Sequence, residues 1–254
     1  MRYALIILIT LFLIGKLFAQ GSAGSSSNLE PRYIIDMPTA GLISHASYAI
    51  DTDFYQSNGV LFGFTIGLLN RINLSVSYGG SNLIGSSKPD WNKYPGMGLK
   101  IRPFEESKIF PAIAIGFDTQ GKENYIDTLN RFTIKSPGIY IVASKNFLAA
   151  GFLSIHGGVN YSLERADGDK DANLFLGAEK SIGSFISLIV EYNTAINDSD
   201  PKALGKGRGY LNIGFRGSLG DGFTIGVNLK DIIKNQDKVS IGNRTISIEY
   251  IGRF

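Results

Sequence analysis

Ser154, His156 and Asn160 stand at i, i+2 and i+6 of LSIHGGVNYSL, and residues two apart on an extended chain share a face. A serine oxygen in hydrogen-bond reach of an imidazole that a third polar group orients is the arrangement of nucleophilic catalysis. Same-face neighbours lie about 6.5 Å apart along a strand, so the spacing permits the contact without fixing it. The same residues suit a hydrogen-bonded polar row equally well. In ADGDKDAN, Asp167, Asp169 and Asp171 fall at the first, third and fifth places of a calcium loop. The sixth place, which needs glycine, is Ala172, and the twelfth, which needs glutamate, is Ala178, so the match fails. No metal and no cofactor is expected. Lys202, Lys206 and Arg208 in PKALGKGR form a basic, glycine-rich stretch that suits either an anionic glycolipid or a flexible charged loop.

The segments that must position these residues share one period. In GVLFGFTIGL, Val60, Phe62, Phe64, Ile66 and Leu68 alternate with Gly63, Thr65 and Gly67, and in RINLSVSY, Ile72, Leu74, Val76 and Tyr78 alternate with Asn73, Ser75 and Ser77. Strict alternation is the signature of a half-buried strand. The pattern weakens through MGLKIR, FPAIAIGFD and GIYIVASKNF, where apolar residues occupy both phases, and returns in LSIHGGVNYSL and onward to the end. Twelve such strands are counted. Their polar phase collects Asp51, Asp53, Lys100, Arg102, Asp118, Glu179, Glu191, Arg216, Lys230, Glu249 and Arg253, mixed in sign. Charges enclosed in a lumen must pair or stay wet. This set therefore predicts either a salt-bridged filling or a weakly selective aqueous pore, and twelve strands lie between filled small barrels and open porins.

The two ends of the chain say which solvent the apolar face meets. MRYALIILITLFLIGKLFAQ has an early cation, an apolar run and a small residue at Ala19, which reads as a secretory signal over residues 1–19. A flexible periplasmic linker and lead-in is expected over 20–42 and a barrel over 43–254. The chain has no cysteine, so neither a lipid-modified N-terminal cysteine nor a disulfide framework stabilises the exported protein. Taking Arg2 and Lys16 from the 25 basic residues leaves 23 against 22 acidic ones, which gives no case for nucleic acid as a partner. Beyond the signal no apolar run approaches the ~18 residues of a spanning helix. Any membrane crossing is by strands.

Connections between strands run short and long in turn: LLNR then GSNLIGSSKPDWNKYP, EESK then TQGKENYIDTLNR, LAA then ERADGDKDA. That is the layout of an outer-membrane barrel with short periplasmic turns, and it puts both termini in the periplasm. QSN after the first strand is short where a long loop is due. The fold class expected is all-β, a single antiparallel transmembrane barrel of about twelve strands. The closing stretch TISIEYIGRF resembles the C-terminal assembly signal of outer-membrane barrels, with Ile246, Ile248, Tyr250, Gly252 and Phe254 on the lipid face. The resemblance implies outer-membrane lipid and the barrel assembly machinery as partners.

DMPTAGL, KPDWNKYPGMGLKIRPFEESKIFPAIAIGFDTQG and YIVASKNF, all within residues 36–147, resemble the YjbH-type outer-membrane proteins. That resemblance implies a role linked to exopolysaccharide production, with surface polysaccharide or its export proteins as partners. The Ser154, His156 and Asn160 set resembles that of the outer-membrane phospholipases, though those sets point toward lipid and this phase turns inward. The expected function is non-enzymatic transport or envelope assembly in the outer membrane. A lipid-modifying esterase built on Ser154 and His156 is the alternative.

Overall fold

The computed structural model describes residues 21–200, 203–236 and 243–254; the expected signal peptide and Lys202 lie outside them. Its strands are β1 (Ser47–Tyr55), β2 (Gly59–Leu68), β3 (Ile72–Ser81), β4 (Asp90–Trp91), β5 (Gly96–Phe104), β6 (Ala112–Asp118), β7 (Lys122–Ile126), β8 (Arg131–Ile134), β9 (Gly138–Leu148), β10 (Phe152–Tyr161), β11 (Asn173–Ser181), β12 (Ile186–Asn193), β13 (Tyr210–Gly220), β14 (Phe223–Lys230) and β15 (Asn243–Arg253). Twelve of them are staves, each antiparallel to its neighbours. The ring runs β1, β2, β3, β5, β6, β9 and on through β15, which pairs back onto β1. The expected twelve-stranded barrel is therefore closed. β4 adds a short pairing to the end of β3, and β7 with β8 forms a separate hairpin.

Alternation produces the two surfaces. Leu74, Val76, Ile139, Ile155, Leu176, Phe215, Val227 and Ile246 are all exposed on the outside, while Thr65, Asn73, Asn160, Asn212, Thr224, Asn228 and Thr245 are buried within. An apolar exterior around a complete ring would be an aggregation surface in water and is the expected surface in lipid, where closure leaves no unpaired edge. Aromatic pairs mark both rims. Tyr78 stacks on Trp91 at 5.6 Å on the long-loop side, and Phe223 meets Tyr250 at 4.6 Å on the turn side. The seam pairs Ile50 with Tyr250 and Phe54 with Ile246. It ends where the Phe254 N–H donates to the Ala46 carbonyl at 3.0 Å.

The short connection after β1 is a tight hairpin turn in which Ser57 and Asn58 both have positive φ, as a type I′ turn requires. The next long loop seats on it through Asn82 N–H to the Ser57 carbonyl and Leu83 N–H to the Asn58 carbonyl. The exception in the connection pattern is thus a platform for its neighbour.

One expectation is corrected. Residues 21–42 do not form a flexible linker outside the barrel; they run up into the lumen from the turn side and back down. Gly21–Gly24 are buried beside β13 and β14, with the Ala23 N–H donating to Ser218 Oγ at 3.0 Å. The chain turns over Ile34–Met37, where the Ile34 N–H donates to the Met37 carbonyl at 2.8 Å, and Tyr33 bridges Pro38. It descends through Ala40 to Ile43 and enters β1. Gly and Ser in GSAGSSS are read as flexibility in solvent, but small residues also fit the narrow space between packed walls.

Candidate functional site: the lumen and its inserted hairpin

The hairpin is held by its own polar groups against charges of the wall. Arg32, buried at mid-height, is ion-paired to Asp51 of β1 and to Glu249 of β15, the latter at 2.8 Å, and donates to Thr65 Oγ1 at 2.9 Å. Asp36 at the tip accepts from Lys230 Nζ at 2.6 Å. Arg216, which is ion-paired with Glu179 at 2.9 Å, also donates to the carbonyls of Tyr33 and Ile34. Lys100 donates to the carbonyls of Arg32 and Gly41, at 2.9 and 3.2 Å, and lies 5.4 Å from the centre of the Tyr33 ring. Arg102 pairs with Glu30 and Glu105, and Tyr33 Oη donates to Asp118 at 3.3 Å. Lys122 of β7 pairs with Asp53 at 3.1 Å.

Glu191 makes the most concentrated contact. Its side chain is 0% exposed, and one carboxylate oxygen accepts three successive backbone N–H groups, from Ile35, Asp36 and Met37, at 2.9, 2.9 and 2.8 Å. Its other oxygen accepts from Asn212 Nδ2 at 2.8 Å. Consecutive N–H groups converging on one point form an anion-binding concavity. Here the hairpin tip supplies the concavity and the barrel wall supplies the anion.

Opposite this polar set the tip presents an apolar pad. Ile34, Met37 and Ala40 pack with Ala112 and Ala114 of β6, Tyr140 and Val142 of β9, Phe175 of β11 and Ile189 of β12. This explains the weakened alternation in the middle of the sequence. Strands through β6 and β9 are apolar on both faces because one face meets lipid and the other meets the hairpin. The signal for an inserted segment was present in those two-sided strands, and Arg32, Tyr33 and Asp36 are the functional residues that strand periodicity could not find.

On the remaining side the wall is small and polar, with Gly63, Thr65, Ser75, Ser77, Gly226 and Ser247, and a cavity of about 100 Å³ persists between it and Arg32, Tyr33 and Asp36. At the long-loop end β7, β8 and their neighbouring loops form a cap tied together by buried ion pairs. Arg131, 0% exposed, binds Asp167 at 2.6 Å and Asp198 at 2.5 Å. Lys135 binds Asp167 at 2.8 Å, and Tyr210 Oη donates to Asp198 at 2.5 Å. Asp169 accepts the backbone N–H groups of Ser199 and Asp200. Asp167 and Asp169 thus hold the loop cap. No group of three or more metal-binding side chains is gathered among the described residues.

Of the predicted polar set, Asp51, Asp53, Lys100, Arg102, Asp118, Glu179, Glu191, Arg216, Lys230 and Glu249 all meet the hairpin, the loop cap or one another inside the barrel. Arg253 follows the inward phase but is exposed at the turn-side end of β15. Ser154, His156 and Asn160 are not brought together. Ser154 Oγ donates to Asn146 at 2.5 Å, and His156 Nδ1 shares a hydrogen bond with Ser144 of β9 at 2.8 Å. Asn160 donates to the Pro137 carbonyl and accepts from Asn173. The Ala40 N–H covers Ser144 Oγ at 2.9 Å, so the serine and histidine that do meet lie beneath the hairpin. On the lipid face, Ile246, Ile248, Tyr250, Gly252 and Phe254 keep one phase, and the Phe254 ring lies 5.2 Å from Tyr48 across the seam.

These features together define the class: a closed antiparallel barrel with a lipid-type exterior and a charged interior, the fold of outer-membrane porins. No family model and no curated protein matches the chain. Among solved structures, a KdgM porin is similar at a TM-score of 0.51 and 10% identity, over 80% of this chain and 98% of that one. The KdgM porin in complex with disordered oligogalacturonate is similar at 0.50 and 10%, with the same coverage. At this identity the likeness is one of fold.

Proposed function

We propose that the chain is an outer-membrane, porin-like barrel that passes small polar solutes through a lumen its own N-terminal hairpin narrows. The observation that supports this most is a fully closed ring whose interior remains polar and partly empty beside the hairpin. A ring of eight strands is just filled by its own wall side chains, and a ring of twelve encloses more space than that. In this reading the short-turn side, where residue 21 and Phe254 lie, faces the periplasm and the long loops face outside, by analogy with barrels of this class. Oligogalacturonate is an acidic saccharide, but the lumen cations here are spoken for. Arg32, Arg216, Lys122 and Lys230 each pair with carboxylates and Lys100 is engaged by the Arg32 and Gly41 carbonyls, so a polyanion gains no continuous basic track. Small solutes of either charge fit the interior better.

The link to exopolysaccharide production rests on the YjbH-type stretches alone. One of them, DMPTAGL, forms the tip and descending limb of the hairpin, so a shared plug would be the physical content of that kinship. Single-channel recording tests the pore reading. Full-length protein in planar bilayers should pass small currents, and a folded barrel lacking residues 21–43 should pass much larger ones. A deletion barrel that is folded yet silent would rule the pore out.

A further inference from the structure

We infer that Glu191, Asn212 and Lys230 form an anchoring site for the hairpin tip, and that the hairpin is a releasable gate which this site holds shut. The inference rests on the pore reading above.

Three observations carry it. Among the described residues no stave-to-stave ladder includes a residue of the hairpin, so its departure breaks none of the ladder bonds that close the barrel. The hairpin also has bonds of its own. Ile34 N–H donates to the Met37 carbonyl and Thr39 N–H to the Arg32 carbonyl, at 2.8 and 3.1 Å, and Leu42 N–H donates to Glu30 at 3.0 Å. It can therefore move as one unit. Finally, its hold on the wall is uneven. One side packs on β6, β9, β11 and β12, the other borders the cavity and is held there by Arg32 through Asp51, Glu249 and Thr65, and the tip is fixed by side chains of β12, β13 and β14.

The tip is the place where release is decided. Glu191 satisfies three backbone donors at once, and these would otherwise be left unpaired in a confined space. Lys230 fixes the Asp36 side chain beside them. When these bonds open, water entering from the cavity solvates the wall charges, the Arg32 pairs with Asp51 and Glu249 included, and the tip can withdraw toward the turn side, where Ser25 and Ser26 stay bonded to the Gly183 and Ser184 carbonyls and residue 43 joins the barrel.

The absence of native cysteine permits a direct test in the full chain. Wild-type protein in planar bilayers should show brief openings at applied voltage. The pair Ala40→Cys and Ser144→Cys should abolish them in oxidising buffer, and a thiol reductant should restore them. Glu191→Ala should raise open probability about tenfold or more, as loss of hydrogen bonds to a charged group implies. Glu191→Gln, which keeps an acceptor oxygen, should lie between. Lys230→Gln provides a second route to the same effect if Glu191→Ala does not fold, with folding checked by heat-modifiable mobility. Openings that persist unchanged across the oxidised disulfide, or anchoring variants that open no more than wild type while the barrel lacking 21–43 conducts, would overturn the gate. Silence of that folded deletion barrel would instead overturn the pore reading on which the gate depends.

Discussion

Phase along a stave decides what each side chain costs. Leu74 faces outward on β3 and Ser75 faces the cavity. Leu74→Arg puts a cation against hydrocarbon and should lower barrel stability by ~2–4 kcal/mol at mid-membrane depth. Ser75→Arg should cost clearly less, as measured by folding into lipid vesicles under denaturant. The esterase alternative belongs to this scale too. Ser154 bonds Asn146 and His156 bonds Ser144, so purified protein should show no turnover of a lipid ester that Ser154→Ala and His156→Ala both abolish. Loss of a robust hydrolysis in both variants would reverse that expectation. The inward charges were legible residue by residue because a charge breaks an apolar alternation visibly. Their partners were not, since Arg32 and Asp36 lie in a segment without strand period.

Among the elements, the hairpin and the loop cap were the least legible. Glycine and serine before residue 30 suggest a solvated linker, and only the two-sided apolarity of β6 and β9 betrayed something packed inside. The cap depends on contacts far apart in sequence, Arg131 with Asp167 and Asp198, which local pattern cannot supply. Burial in this cap pushes the Glu164 carboxyl up to about 7, even though it accepts the Ser136 N–H at 2.9 Å and lies near Arg131 and Lys135. A carboxyl whose pKa is raised on folding stabilises the folded loop fully below its ordinary range and loses that contribution as pH rises through the raised value. The cap should therefore resist proteolysis better at pH 5 than at pH 8 in detergent-embedded barrels. Glu164→Gln should flatten that dependence. A cap that instead tightens with rising pH would contradict it.

At the scale of the whole molecule the ring was readable from alternation, turn parity and the closing strand, because each follows from the need to pair every backbone group in lipid. The same seam makes a prediction about assembly. Phe254 is 79% exposed on the protein and touches Tyr48 across the closure, so deleting it removes at most ~1.5–3 kcal/mol of apolar contact. The deletion should still fold into detergent yet fail to accumulate in the outer membrane of cells, and a short polar tail after Phe254 should act alike. Wild-type membrane levels for both would show that the terminus is no assembly signal. The central claim is that lipid meets the outer face while the inner face is enclosed. Single cysteines at each position from Ile72 to Tyr78, spin-labelled in reconstituted vesicles, test it most directly. Collisions with oxygen should peak at 72, 74, 76 and 78, and labels at 73, 75 and 77 should stay shielded from oxygen; a flat profile, or one with the phases exchanged, would contradict it.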